Sequence, residues 1–199
     1  MFARLLAAFC LYTLAVVSAC ASEVVVYLRP GSLPQTRTLE VMKQELAPLM
    51  LSAGYQVEWR ESPHDTDASS LVVLELRGTC AAPAGAIPLQ ALDAKDLASS
   101  ATSAGAVLPF SSINCDGLTR MLAPALSAEA PARRDFLYGR AMARLMAHEL
   151  YHILANTRDH ERSGIAKPHF SLADLTGESL DFDRGALTKL GISAETASQ

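Results

Sequence analysis

The sequence predicts an α+β domain. Three observations carry that expectation: short β-branched runs dominate the first 113 residues, two helical segments follow them, and no internal repeat or linker divides the chain. With 199 residues, half of them hydrophobic and 19% charged, the chain is long enough for one folded domain with a substantial core.

The first strand is expected at 23–28 (EVVVYL), followed by a turn marked by Pro30, Gly31 and Pro34. Over 38–51 the apolar residues Leu39, Val41, Met42, Leu46, Leu49 and Met50 recur at helical spacing. Pro48 is expected to interrupt that helix or kink its last turn, and Gly54 to close it. Residues 55–60 (YQVEWR) alternate as a half-buried strand does, and 62–70 read as a polar loop containing His64. A continuous apolar strand is expected at 71–76 (LVVLEL). The Ala-, Gly-, Ser- and Pro-rich stretch after it supports no more than a short helix near 89–97. Residues 106–113 (AVLPFSSI) read as a strand at a sheet edge, because Pro109 cannot donate to a ladder. A modest helix at 116–126 and a long one from Pro131 to about Ala155 complete the pattern, the proline suiting a first helical position.

Residues 1–21 stand apart from this fold. A weakly positive start ending at Arg4, an apolar run over 5–17 and the small residues 18–22 have the layout of a secretory signal. Two cleavage readings compete. Ala19-Cys20-Ala21 fits a signal peptidase site with cutting before Ser22, which gives a signal peptide of 1–21. Val17-Ser18-Ala19-Cys20 resembles a bacterial lipobox, which gives a signal of 1–19 and a lipidated Cys20. The apolar run is short for a bilayer span of ~20 residues. A single exported domain over 22–199 is therefore expected, periplasmic or extracellular, touching a membrane only through a lipid anchor at Cys20.

Cys10 and Cys20 belong to the targeting region, which leaves Cys80 and Cys115 in the domain. An even pair in an oxidising compartment favours a disulfide over metal ligation, since neither has a CxxC neighbour. Closing that loop is worth roughly 3–4 kcal/mol on the chain-entropy view. The net charge of −4 and the lack of a Lys/Arg cluster argue against nucleic acid or anionic lipid as the main partner.

The chemistry concentrates in His148-Glu149-Leu150-Tyr151-His152, an HExxH pattern inside the long helix. Residues four apart lie one turn above each other on one face, so both imidazoles can reach a single metal ion. Zinc accepts imidazole nitrogen, and catalytic sites use three protein ligands plus water. Glu149, beside the pair, is free to act as a base toward water acidified by the metal. The pattern arises by chance in on the order of one chain in a hundred of this length. The stripe Met142, Leu145, Met146, Leu150 and Ile153 reads as the buried face that anchors the helix.

A helix bearing HExxH resembles the zincin metallopeptidases, and the stretch HELYHILANTRDHERSGIAK (148–167) is similar to short, uncharacterised exported bacterial proteins. The resemblance implies a zincin-like fold, in which a small twisted sheet packs on the HExxH helix. It also implies one zinc ion held by His148 and His152, with Glu149 as general base, and a peptide or protein substrate. The alternative is a non-catalytic exported protein with structural zinc or no metal.

The chain departs from the metzincin pattern HExxHxxGxxH. Ala155 stands at the glycine, Arg158 at the third histidine, and no methionine follows Met146. His160 arrives two residues later and is the expected third ligand. Asn156 tolerates a left-handed conformation and can end the helix, and the five residues from it to His160 span at most ~17 Å. Glu178, 26 residues after His152, is the main rival because gluzincins use a glutamate from a later helix; Asp159, Glu161 and Asp174 rank below it. Zincin sites often need a second electrophile at the developing oxyanion. Lys167, which follows Gly164, ranks first for that role, ahead of Tyr138, Tyr151 and His169.

Overall fold

The hydrophobic run SEVVVYLR becomes an inner strand of a mixed sheet, with all three valines at its centre buried. In the computed structural model, which describes residues 21–29, 34–62, 71–82 and 97–192, the strands are β1 (Ser22–Arg29), β2 (Tyr55–Arg60), β3 (Leu71–Arg77), β4 (Ala98–Ser103) and β5 (Ala106–Asn114). The helices are α1 (Thr36–Ser52), α2 (Cys115–Leu126), α3 (Pro131–Leu154), α4 (Leu172–Thr176) and α5 (Arg184–Lys189). The sheet order is β2-β1-β3-β5-β4, parallel throughout except for the antiparallel β4–β5 pair. The fold is α+β, with the sheet packed against α3. The signal segment with Cys20, the loop residue His64 and nearly all of the expected 89–97 helix lie outside the described residues.

Register decides which side chains face the helices. Val26 pairs with Val72 and Leu28 with Leu74; Leu74 then pairs with Ser111 and Leu76 with Ile113. Val72, Leu74, Leu76 and Ile113 are buried in one cluster, so this is the face that α1 and α3 cover. Ser100 of β4 is registered against Ser111 and therefore joins that face.

Two expectations need correction. The 106–113 strand is not at an edge: β5 lies between β3 and β4. Pro109 is accommodated because the β3 ladder starts at Phe110, and the β4 ladder shifts register between its Val107 and Ser111 pairings. Its missing N–H falls where neither neighbour needs one. Helix α1 is also not interrupted at Pro48: it runs on to Ser52, with the proline in its C-terminal portion.

Helix α3 is the centre of the molecule rather than a one-faced surface helix. Every residue from Leu137 to His152 is buried except Arg140. The sheet covers one side, α1 a second, and the chain after His152 the rest. Gly139 permits the α1 contact: a Cβ there would lie 2.8 Å from the Thr38 carbonyl and 2.9 Å from the Val41 Cβ. Arg140 spans the same interface to Glu45 at 2.8 Å. The Cys80–Cys115 disulfide, with a Cα–Cα distance of 4.8 Å, joins the segment after β3 to the start of α2. Asp116 reinforces that junction by accepting from the Thr79 amide at 2.9 Å.

Candidate metal centre

The site begins where α3 ends. Asn156 adopts φ +44°, its amide donates to the Ile153 carbonyl at 3.2 Å, and the Thr157 amide donates to the His152 carbonyl at 3.0 Å. These two bonds form the glycine-type helix stop, with asparagine taking the left-handed position. The Asn156 side chain also accepts from the Val107 amide at 3.0 Å, which ties the stop to β5. The chain reverses there, and His160 is carried back over the helix.

His148, His152 and His160 thereby converge, their nearest ligating atoms all within 4.8 Å of one another. The first two are buried and the third is exposed on its loop. His148 Nδ1 lies 2.7 Å from the Ile165 carbonyl, and His152 Nδ1 lies 2.8 Å from the Thr157 carbonyl. A carbonyl oxygen only accepts, so each Nδ1 carries the hydrogen and each Nε2 is left with a lone pair. Those two Nε2 atoms face each other at 3.0 Å.

Lone pairs so opposed repel unless a proton or a cation stands between them. Two nitrogens on one tetrahedral zinc at ~2.0–2.1 Å stand roughly 3.3 Å apart, so the donor set fits that ion with little adjustment. Burial lowers His148 to about 4 and is also the leading cause of the downward shifts of His152 and His160. All three rings are therefore in the neutral, ligating form at neutral pH.

The carbonyl contacts that orient the rings depend on local backbone. Gly164 (φ +67°) lets the chain pass within hydrogen-bonding range of 181–183: a Cβ there would sit 2.4 Å from the Asp181 carbonyl. The Ile165 amide donates to that carbonyl at 2.9 Å, which seats Ile165 in the core with its own carbonyl toward His148. Phe170 packs edge-on against the His148 ring at 5.4 Å.

Glu149 is buried between the histidines and the sheet. Ser100 Oγ donates to its carboxylate at 2.5 Å, while the Ser111 hydroxyl beside it donates to the Ser99 carbonyl at 3.0 Å. Burial raises Glu149 to about 7 in spite of the neighbouring Ser100 and Ser111 hydroxyls, which pull it down. A cavity of about 450 Å³ opens onto these groups. One wall is β4 with Ser99, Ser100 and Thr102; the other is the loop with Arg158, His160 and His169.

The remaining sequence candidates are placed elsewhere. Lys167 does not line that cavity: its ammonium is 2.6 Å from Asp174, which itself is held by Ser171 at the start of α4. Glu178 is exposed after α4 and is not in the histidine group. Asp159 and Glu161 flank His160, and Asp174 is committed to Lys167. Tyr138 does not line the cavity and is bonded to Thr119 and to the Cys115 carbonyl. Ser100 carried no sequence signal, because ASSATS lacks the β-branched, apolar character that marks a strand.

No protein family, curated protein or solved structure is found to match this chain.

Proposed function

We propose that the protein is an exported zinc metallopeptidase that uses a single ion bound by His148, His152 and His160. The observation that carries this reading is the 3.0 Å approach of two Nε2 lone pairs whose rings are each locked by a carbonyl at Nδ1. Outer contacts of this kind orient metal-ligating histidines. Zinc held there would supply Lewis acidity, acidifying water and polarising a carbonyl group.

The chain's own residues supply the rest. Glu149 takes the proton of the attacking water on its carboxylate and returns it to the departing amine nitrogen. Ser100 holds that carboxylate against the sheet face, and its raised pKa suits it to carry a proton near neutral pH. A peptide is the substrate class that fits. β4 is the last strand of the sheet among the described residues and forms a cavity wall, so an extended chain can add to its edge beside Glu149.

The competing reading is a structural zinc site, which takes four protein ligands. The metal-competent group among the described residues holds three histidines and opens onto a cavity, which favours catalysis. The Cys80–Cys115 disulfide indicates an oxidising compartment. No described helix is long and apolar enough to cross a membrane.

Metal analysis and an unfolded protein substrate test the proposal together. One zinc per chain is expected, with hydrolysis lost and zinc retained in Glu149→Gln. Substoichiometric zinc after gentle preparation would remove the enzyme reading, and equal turnover by the variant would refute the assigned base.

A further inference from the structure

His160 sits on an exposed loop, yet the residues on both sides of it are fastened to rigid elements. On one side, the Tyr151 hydroxyl donates to the Asp159 carbonyl at 3.3 Å. On the other, the Glu161 amide donates to the Ala166 carbonyl at 2.9 Å, and the Glu161 carboxylate meets Lys189 of α5 at 2.8 Å. The Tyr151 hydroxyl also lies 3.5 Å from that carboxylate, and the positive charge of Lys189 faces the same hydroxyl. Gly185 leaves room for the group: a Cβ at that position would lie 2.5 Å from Glu161 Oε2.

Tyr151 is fully buried in α3, between the two histidines of the helix pair and beside His152 in sequence. Its ring needs no polar neighbour to be buried, but its hydroxyl does. That hydroxyl is committed to the loop at Asp159, seven residues past the end of the motif, and Lys189 ties the same loop to a helix nearly thirty residues further on. A loop histidine otherwise pays the entropy of being ordered when it binds a metal, and fixing its neighbours beforehand removes part of that cost.

We infer that Tyr151, Glu161 and Lys189 form a clamp that positions His160 for the metal, so that α5 completes the centre from outside it. The inference rests on the metal reading above. Tyr151 and Lys189 act as positioning residues, through the loop backbone and Glu161, without touching the ion.

Zinc affinity of the full chain, measured by competition with a chelator, tests the clamp. Tyr151→Phe keeps the buried ring and Lys189→Met keeps the aliphatic stem, so both variants retain the packing. Each is expected to bind zinc about tenfold more weakly than the unaltered chain, the range typical of groups that orient ligands. With cobalt in place of zinc, each should show a visible spectrum shifted toward that of His160→Ala. In a His160→Ala background neither substitution should weaken zinc further, since the ring being positioned is gone. Affinities within twofold of the unaltered chain would overturn the clamp while leaving the metal centre intact. So would an undiminished loss in the His160→Ala background, which would mark a general effect on the fold. If the unaltered chain takes up no zinc, the clamp and the metal reading fall together.

Discussion

Ser100 and Glu149 are hydrogen-bonded at 2.5 Å although 49 residues separate them, and this bond joins β4, at the end of the sheet among the described residues, to the HExxH turn of α3. It exists because the β4–β5 register sets Ser100 beside Ser111 on the face that α3 covers. The carboxylate therefore has a fixed direction, and in the proposed reaction preorganisation of that kind would speed the proton transfer.

Removing that hydroxyl should cost rate more than binding. Ser100→Ala is expected to keep full zinc occupancy and to lower kcat on the order of tenfold with little change in KM. Steady-state kinetics on a peptide beside metal analysis check this; a loss confined to KM would mean that Ser100 serves the substrate instead of the base.

The identity of the third ligand separates two substitutions. His160→Ala should weaken zinc binding by more than about 100-fold, whereas Glu178→Ala should leave it unchanged, because Glu178 is exposed and apart from the histidine group. Chelator competition on both variants decides, and the opposite ranking would transfer the role to the glutamate.

In metal-free protein the buried carboxyl should leave a mark on stability. Burial raises Glu149 from 4.5 to about 7. Its contribution is thus complete below the unfolded value and is lost as pH climbs through the folded one. Glu149→Gln removes this loss, so its advantage over the unaltered chain should grow between about pH 4.5 and 7, toward a ceiling on the order of 3 kcal/mol. His148 works in the opposite sense: it is lowered from 6.5 to about 4, so its contribution is present above 6.5 and lost as pH falls through 4, equally in both proteins. Urea midpoints in the presence of chelator, at about pH 5 and pH 8, read the difference. A gap independent of pH would contradict the assignment.

At the end of α3 the backbone, more than the side chain, sets the requirement. Asn156→Gly relieves φ +44° while losing the bond to the Val107 amide, so it should be close to neutral. Asn156→Val loses both and should cost about 2 kcal/mol. Thermal denaturation of the pair checks this; equal destabilisation would assign the effect to the amide bond alone.

Gly139→Ala should destabilise the fold by about 1–2 kcal/mol even though alanine is the better helix former. The added methyl meets the Thr38 carbonyl and Val41 across the α1 interface, neither of which can yield without separating the helices. A rise in stability would show that α1 has room to move.

Most of the secondary structure was legible because its signals are local. The β-branched runs of β1 and β3 and the helical spacing in α1 and α3 each depend on neighbours a few residues away, and the observed ends fall within a few residues of those expected. The asparagine stop was legible for the same reason, since αL tolerance belongs to the residue itself. Pro109 misled because an edge position is only one way to spare a donor. A register shift is another, and it depends on a partner strand with no apolar pattern.

The sequence alone determined that two imidazoles one helical turn apart would share a face with a carboxylate beside them, because helix geometry is fixed by the backbone. The tertiary structure decided what surrounds them: the carbonyls of Thr157 and Ile165 that set the tautomers, the serine that holds Glu149, and the ion pair that takes Lys167 out of the cavity. Those choices turn on where backbone oxygens and a polar strand come to lie after a chain reversal and a strand pairing. Neither carbonyls nor register are written in side-chain identity, so they become definite only when the chain packs.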